Sequence, residues 1–377
     1  MELSFGPDET LLRDTVRRYF EREYSFDARR ARMAEAEGFS RATWADMAGL
    51  GVLGAALPTS LGGFGAAGVG TLILAEACGR GLVVEPWLGT VVLGAGALEL
   101  GGNAAQQTLL EGVLGGETLL AFAHDEPAMR YDFDAIATRA VPDGDGFLLT
   151  GHKSVVLHGG SADWLLVSAA LQVQGSAAGA ALFRVPRGAE GVGLRRYVTL
   201  DGLPAADLAL DGVRVSREDS LGVPGKAWPL IERLLDRATA ALCAEAVGVM
   251  DTLLARTIAY LGTRQQFGLP LARFQALQHR VADMAMQVEQ ARSMALVAAV
   301  HVDAADDGTR RRHVSAAKAR VGQAAVFVGQ AAVQLHGGIG MTDALDVSHY
   351  FKRLTLIARA FGDTDHHLAR YLEATGR

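Results

Sequence analysis

Apolar positions recur at helical spacing in two long stretches of this chain, separated by a stretch in which they run in short blocks. To about residue 115 the period is helical. Leu12, Val16, Tyr19 and Phe20 share one face, with Asp8 placed to cap its start, and a second helix is marked by Ser40 as cap, Trp44 and Met47 as stripe and Gly51 as stop. From about 118 to 224 the pattern changes to β-type runs broken by turn residues: TLLAFAH, FLLTG after Asp-Gly-Asp-Gly, WLLVSAAL, ALFRV and ADLALDGVRV. Helical spacing returns at Trp228, where Leu242, Ala246, Val249, Leu253, Thr257 and Tyr260 fall on one stripe, and continues through 274–302 and 313–335. The pattern predicts an N-terminal helical domain (1–115), a small β domain (116–225) and a C-terminal antiparallel helical bundle (226–377).

Composition narrows the function classes. With 377 residues, half of them apolar and 21% charged, the chain can build two or three cored domains. Its net charge is -6 and its basic residues are dispersed, so no nucleic-acid partner is expected. The opening MELSFGPDET has no basic run before an apolar one, and stretches such as 90–98 are too short to cross a bilayer, so neither a targeting peptide nor a membrane span is expected. Two cysteines, Cys78 and Cys243, make neither a disulfide framework nor a four-ligand zinc site, which fits a cytoplasmic protein. His366 and His367 are adjacent and diverge on a helix, so no metal is expected.

Three strings carry candidate chemistry. GFGAAG at 63–68 fits the dinucleotide spacing G-x-G-x-x-G, with Glu85 near the distance of a ribose-binding carboxylate; helices on both sides favour a plain turn into VGTLILAEACGR instead. After Tyr260 comes LGTRQQFGLPLARFQALQHRVADMA, in which Arg264, Gly268 and Pro270 taken singly read as helix-terminating residues. As a whole, Y-x-x-x-R-x-Q-F-G-x-P-L followed by F-Q and A-D-M resembles the signature of the acyl-CoA dehydrogenase family. QLHGGIGMT at 334–342 resembles that family's Q-x-x-G-G-x-G, and LPTSLGG at 57–63 agrees with it.

The resemblance implies an α+β fold with an N-terminal helical domain, a central small β-barrel and a C-terminal antiparallel four-helix bundle. It implies FAD, an acyl-CoA substrate, electron-transfer flavoprotein as acceptor, and an oligomer in which each flavin lies between two subunits. Carried over, it makes Arg264 the diphosphate partner, Phe267 a packing contact, Gln334, Gly337 and Gly338 the close backbone approach, and Thr364 a further flavin contact. FAHDEP, RYD, LCAEAVG, QLHGGIGM and HYFKRL look most like small subunits of members acting on a dicarboxylyl-CoA such as pimeloyl-CoA.

Elsewhere the sequence leaves the family pattern. Of the flavin cradle T-E-P-x-x-G-S-D, AHDEPAMRYD keeps Glu126, Pro127 and Asp132 and puts Arg130 and Tyr131 where small residues belong; in KSVVLHGG, Val155 and Leu157 replace an aromatic residue and a threonine. Desaturation needs a carboxylate near the thioester α-carbon. FGDTDHH places Gly362 at the usual glutamate, and the second family position, Ala238, is uncharged. Asp363, one residue on, is the candidate base, with a helix N-cap as its alternative reading. Two accounts remain: a homotetrameric dehydrogenase with a rearranged cradle, or a non-catalytic partner subunit completing the flavin site of a heterotetramer.

Overall fold

A computed structural model describes residues 5–376; the first four residues of MELSFGPDET and the terminal arginine lie outside the described residues. Helices α1 (Pro7–Glu23), α2 (Phe26–Met33), α3 (Arg41–Gly49) and α4 (Ala67–Gly81) lead to a π-helical segment, Trp87–Ala95, and short helices α5 (Gly96–Gly101), α6 (Ala104–Gln107) and α7 (Leu109–Leu114). Seven strands follow: β1 (Leu120–Ala123), β2 (Arg139–Asp143), β3 (Gly146–Leu157), β4 (Trp164–Val173), β5 (Ser176–Pro186), β6 (Val192–Val198) and β7 (Pro204–Ser216). Then come α8 (Trp228–Thr263), a hairpin of β8 (Gln265–Gln266) and β9 (Leu269–Pro270), α9 (Gln275–His301), α10 (Asp307–His336), α11 (Asp346–Ile357) and α12 (Thr364–Ala374).

By contacts the chain forms two compact units. One comprises Met1–Ala31, Gly68–Val83 and Thr239–Arg377; the other comprises Arg32–Ala67 and Val84–Ala238.

In the first unit, α4 is laid against the bundle by glycines. A Cβ at Gly79 would lie 2.1 Å from the Glu245 carbonyl oxygen on α8, one at Gly248 2.0 Å from that of Glu76 on α4, and one at Gly68 2.1 Å from that of Ala299 on α9. Gly68 is the last glycine of the GFGAAG string, and helix packing, with no strand before it, is what that glycine serves. Buried Arg353 on α11 grips Glu245 with both Nε and Nη2 at 2.6 Å.

In the second unit the ladder order is β1-β4-β2-β3-β7-β6, with β5 on β4. Phe147, Leu149, Leu165, Val167, Phe183, Val185, Leu208 and Val213 fill its core. Ser40 caps α3 through Thr43, with Trp44 and Met47 buried beneath, as the sequence predicts.

The structure corrects several local expectations. Helix α1 is capped by Gly6, whose N–H donates to Glu9, and Asp8 sits in the first turn with Pro7 at its start. Helix α10 begins at Asp307, six residues before 313, because Asp306 accepts from the Thr309 amide at 2.7 Å. Strands β2 and β6 went unread because most of their residues are exposed or half-buried, so they carry no apolar alternation. Finally, α8 is long and apolar enough to cross a membrane by length and composition; 78% of its apolar window is buried inside the protein.

Candidate functional site

The bundle brings two of the sequence-predicted elements together. Helix α8 ends by donating the Arg264 amide to the Tyr260 carbonyl, and the hairpin after it closes with Leu271 N–H donating to the Arg264 carbonyl at 2.8 Å. Its two-residue loop is Phe267 (φ +54°) and Gly268 (φ +77°), the left-handed pair of a type I′ turn. Phe267 is 90% exposed, with the edge of Phe274 near it, ring centroids 6.1 Å apart. Arg264 is exposed, and its guanidinium makes no hydrogen bond or ion pair among the described residues.

Helix α10 ends beside it. Gly337 takes φ +67° and ends the helix as its C-cap, its N–H donating to the Val333 and Gln334 carbonyls, and a Cβ at Gly337 or Gly338 would meet nothing within 4 Å. The Tyr260 ring stacks on His336, centroids 4.5 Å apart, and its hydroxyl reaches the His336 carbonyl at 3.4 Å. That stack joins the base of the arginine hairpin to the glycine turn; His336 was missed in the sequence because it sits inside the string as a spacer.

Asp363 and Thr364 stand at a second place along α10. Gln323, Phe327 and Gln330 on α10, with Arg359, Asp363 and Thr364, line a groove of about 490 Å³. Gln323, Val326, Phe327, Gln330 and Gln334 are all exposed at one-turn spacings, and Gln334 lies about 6 Å beyond Gln330 along the axis. The Asp363 carboxylate accepts from the His366 amide at 3.0 Å, which makes it the N-cap of α12. Gly362 has φ +104°, and a Cβ there would lie 2.4 Å from the His366 ring, so this turn has no room for a glutamate.

The β-domain segments satisfy most of their own polar groups, His124 Nε2 being left buried without a partner among the described residues. Glu126 accepts from the amides of Ala137 (2.7 Å) and Thr138 (3.0 Å) and from Lys153 Nζ (2.7 Å). Lys153, fully buried, also donates to Ser168 Oγ at 2.9 Å, whose hydroxyl proton therefore goes to His124 Nδ1, 2.9 Å away. Burial pushes Lys153 down to about 8 and His124 down to about 3. Burial works against the Glu126 carboxylate too, but Lys153 beside it holds it below its ordinary range. Asp125 is pushed up to about 6 by burial. Val155, at φ +52° and 48% exposed, donates its amide to Tyr197 Oη (3.1 Å) and Asp207 (3.3 Å). Arg130 is likewise left-handed, at φ +50°.

The order of helices, middle sheet and closing bundle, taken with the family comparisons, makes the chain a flavin-dependent acyl-CoA oxidoreductase. Models of the acyl-CoA dehydrogenase N-terminal, middle and C-terminal domains match residues 6–117, 121–213 and 225–374, and the chain belongs to the acyl-CoA dehydrogenase family. The probable acyl-CoA dehydrogenase fadE25 of Mycobacterium bovis is 32% identical over 302 residues, 78% of this chain and 77% of that protein. Among solved structures, the Tcur3481-Tcur3483 steroid ACAD is similar at 32% identity and TM-score 0.89, covering 99% of each chain. The ChsE4-ChsE5 complex from Mycobacterium tuberculosis is similar at 27% identity and TM-score 0.89, covering 100% of this chain and 99% of that one.

Membership implies a flavin cofactor, and the two regions answer differently to it. The bundle end fits: an arginine without a partner among the described residues, glycines facing open space and an exposed ring are what a group from outside the chain would cover. The β-domain segments do not. Val155 offers no aromatic face, its amide is spent on Tyr197 and Asp207, and Glu126 is closed around Lys153.

Proposed function

We propose that this chain is one of two unlike subunits of an FAD-dependent acyl-CoA dehydrogenase, and that it lends the bundle half of a flavin site to its neighbour. The observation that carries this reading is Phe267: a phenylalanine held in a left-handed turn, with its ring at the edge of Phe274, stays 90% exposed in its own chain. Arg264 would meet the diphosphate through charge-assisted hydrogen bonds, Gly337 and Gly338 would admit the backbone to close contact, and Gln334 and Thr364 would supply polar contacts. FAD supplies the hydride acceptor for oxidation of a saturated acyl-CoA to its trans-2-enoyl form, and electron-transfer flavoprotein takes the electrons on. The neighbouring chain supplies the base, since Gly362 leaves no acid at the usual place. Two substrate classes follow: dicarboxylyl-CoA thioesters such as pimeloyl-CoA, from the sequence strings, and steroid-bearing thioesters, from the description of a similar structure.

A second reading has its own observation. Asp363 and Thr364 line the same groove, so Asp363 is the candidate base if the chain acts alone in a homotetramer. Flavin content separates the two. The proposed reading expects no flavin on the chain purified alone and FAD on co-expression with a related larger subunit. One FAD per chain in the lone protein overturns it. Asp363→Asn in the assembled enzyme should leave turnover within about threefold; a loss of a hundredfold or more, with the flavin retained, assigns the base to Asp363.

A further inference from the structure

Lys318 lies on the buried face of α10 with Val314, Ala317 and Val321. Its Nζ donates to the Gly362 carbonyl at 2.6 Å and to the Ala358 carbonyl at 3.3 Å. Ala358 is the C-cap of α11, so the ammonium sits at the negative end of that helix. Gly362 immediately precedes Asp363, the cap of α12. Burial lowers Lys318 to about 8, with Cys243 and Asp363 acting the other way, and the neighbouring Cys243 thiol is itself pushed up to about 12 by burial.

The turn between those two carbonyls is held from a third point. The Phe361 carbonyl accepts from His367 Nε2 at 2.9 Å, which leaves Nδ1 to accept from Ser315 Oγ at 3.3 Å. Burial pushes His367 down to about 2, so the ring is neutral. Ser315 is one helical turn from Lys318, and both reach the same connection from α10. Phe361 (φ +56°) and Gly362 (φ +104°) are both left-handed, a costly pairing for phenylalanine that survives only where the surroundings over-determine it. One turn further along α10, a Cβ at Gly322 would lie 3.2 Å from Thr364 Oγ1, so the corner is seated against that helix.

We propose that Lys318 is the positioning residue of the Asp363–Thr364 corner. By clamping the carbonyls of Ala358 and Gly362, its ammonium fixes where Thr364 and Asp363 are presented to the groove, with His367 and Ser315 as the second tether. Its effect on flavin affinity rests on the flavin-site reading above; its effect on the corner does not. A buried lysine with two carbonyl partners is expensive to keep, and an apolar side chain at 318 would fill the same space while leaving both carbonyls unmatched.

The test is amide hydrogen exchange on the purified chain, wild type against Lys318→Met. Exchange at residues 361–366 should accelerate at least tenfold while the buried stretch of α9 from Met284 to Ala299 is unchanged. Unchanged exchange at the corner, or equal acceleration throughout α9 and α10, overturns the proposal. Should Lys318→Met fail to fold, Ser315→Ala is the milder lesion: it should loosen the same corner by about threefold, and no local change there overturns the proposal equally. In the co-expressed assembly, Lys318→Met should weaken flavin retention about tenfold. A loosened corner with flavin affinity intact supports the positioning role and removes Thr364 from the flavin site.

Discussion

The β-domain segment around Glu126 and Lys153 and the bundle end around Arg264 and Gln334 are the two places where the family's sequence motifs gather, and they are built on opposite principles. In the first, most strong donors and acceptors are answered from within: Glu126 takes three hydrogen bonds, Lys153 is enclosed, and the Val155 amide is shared by a tyrosine and a carboxylate, while His124 Nε2 stays buried without a partner among the described residues. In the second, Arg264 is unanswered among the described residues, Met341 is 64% exposed and two glycines border open space. A surface that stores unmatched polar and apolar groups is completed by something outside the chain; one that matches its own groups has become scaffold.

The largest test of that contrast is Glu126→Ala. Removing the carboxylate leaves a fully buried lysine without its ion-pair partner and two amides unmatched, which should cost about 3–5 kcal/mol. All four tryptophans, Trp44, Trp87, Trp164 and Trp228, lie in the unit that holds the sheet, so their emission during urea unfolding reports the loss there. Arg264→Ala in the lone chain should stay within about 0.5 kcal/mol. A loss under about 1 kcal/mol for Glu126→Ala would mean that this carboxylate is available to a ligand after all.

Acid should separate the regions next. An unfolded histidine titrates near 6.5, whereas burial holds His124 near 3 and His367 near 2. As pH falls below 6.5 the unfolded chain takes up protons that the folded chain refuses, so stability is lost. At 1.36 kcal/mol per pH unit each histidine costs about 2 kcal/mol at pH 5. Asp125 acts in the opposite sense: its carboxyl, raised to about 6 from 3.8, takes its proton first in the folded state and returns stability as pH falls through 6. It stands beside His124, while the bundle's His367 has Lys318, His366 and Arg370 near it, which disfavour a further charge against the favourable Phe361 carbonyl. Between pH 7 and pH 5 the urea midpoint by helical circular dichroism should therefore fall further than the midpoint by tryptophan emission. Equal shifts would show that the offset in the β domain does not operate.

Much of this was legible in the sequence wherever one residue's chemistry decided the outcome locally. Ser40 had to cap because its side chain reaches the Thr43 amide, and the stripe from Leu242 to Thr257 was readable as inward-facing from its helical spacing, since each of its residues is buried. What stayed hidden depends on partners distant in sequence. Gly68 reads as a nucleotide-binding glycine until Ala299 is found against it, some 230 residues later. Lys318 carried a readable signal, a charge among the apolar residues Val314, Ala317 and Val321 of α10, but not its targets, since carbonyls leave no mark in a sequence. Asp363 was read both as a base and as a cap; the His366 amide on its carboxylate makes it a cap, and its chemistry is a matter for the assembled enzyme.

Phe267→Gly carries the smallest effect and the sharpest meaning. Phenylalanine at φ +54° bears a backbone cost that glycine does not, on the order of 1 kcal/mol, and a type I′ loop favours glycine or asparagine at this place. The usual compensation, burial of the ring, is almost absent in the lone chain, where the ring meets the edge of Phe274 and stays 90% exposed. Glycine also enlarges the freedom of the unfolded chain, which takes back part of the gain. The lone chain should therefore gain up to about 1 kcal/mol on substitution, read as a higher urea midpoint, while the co-expressed assembly should lose flavin and subunit affinity. Those opposite signs would mark a residue kept at the expense of its own fold for a surface it does not own. If instead the lone chain is destabilised, the ring serves its own hairpin through Phe274, and the contrast between an outward half-site and a self-contained cradle loses its strongest support.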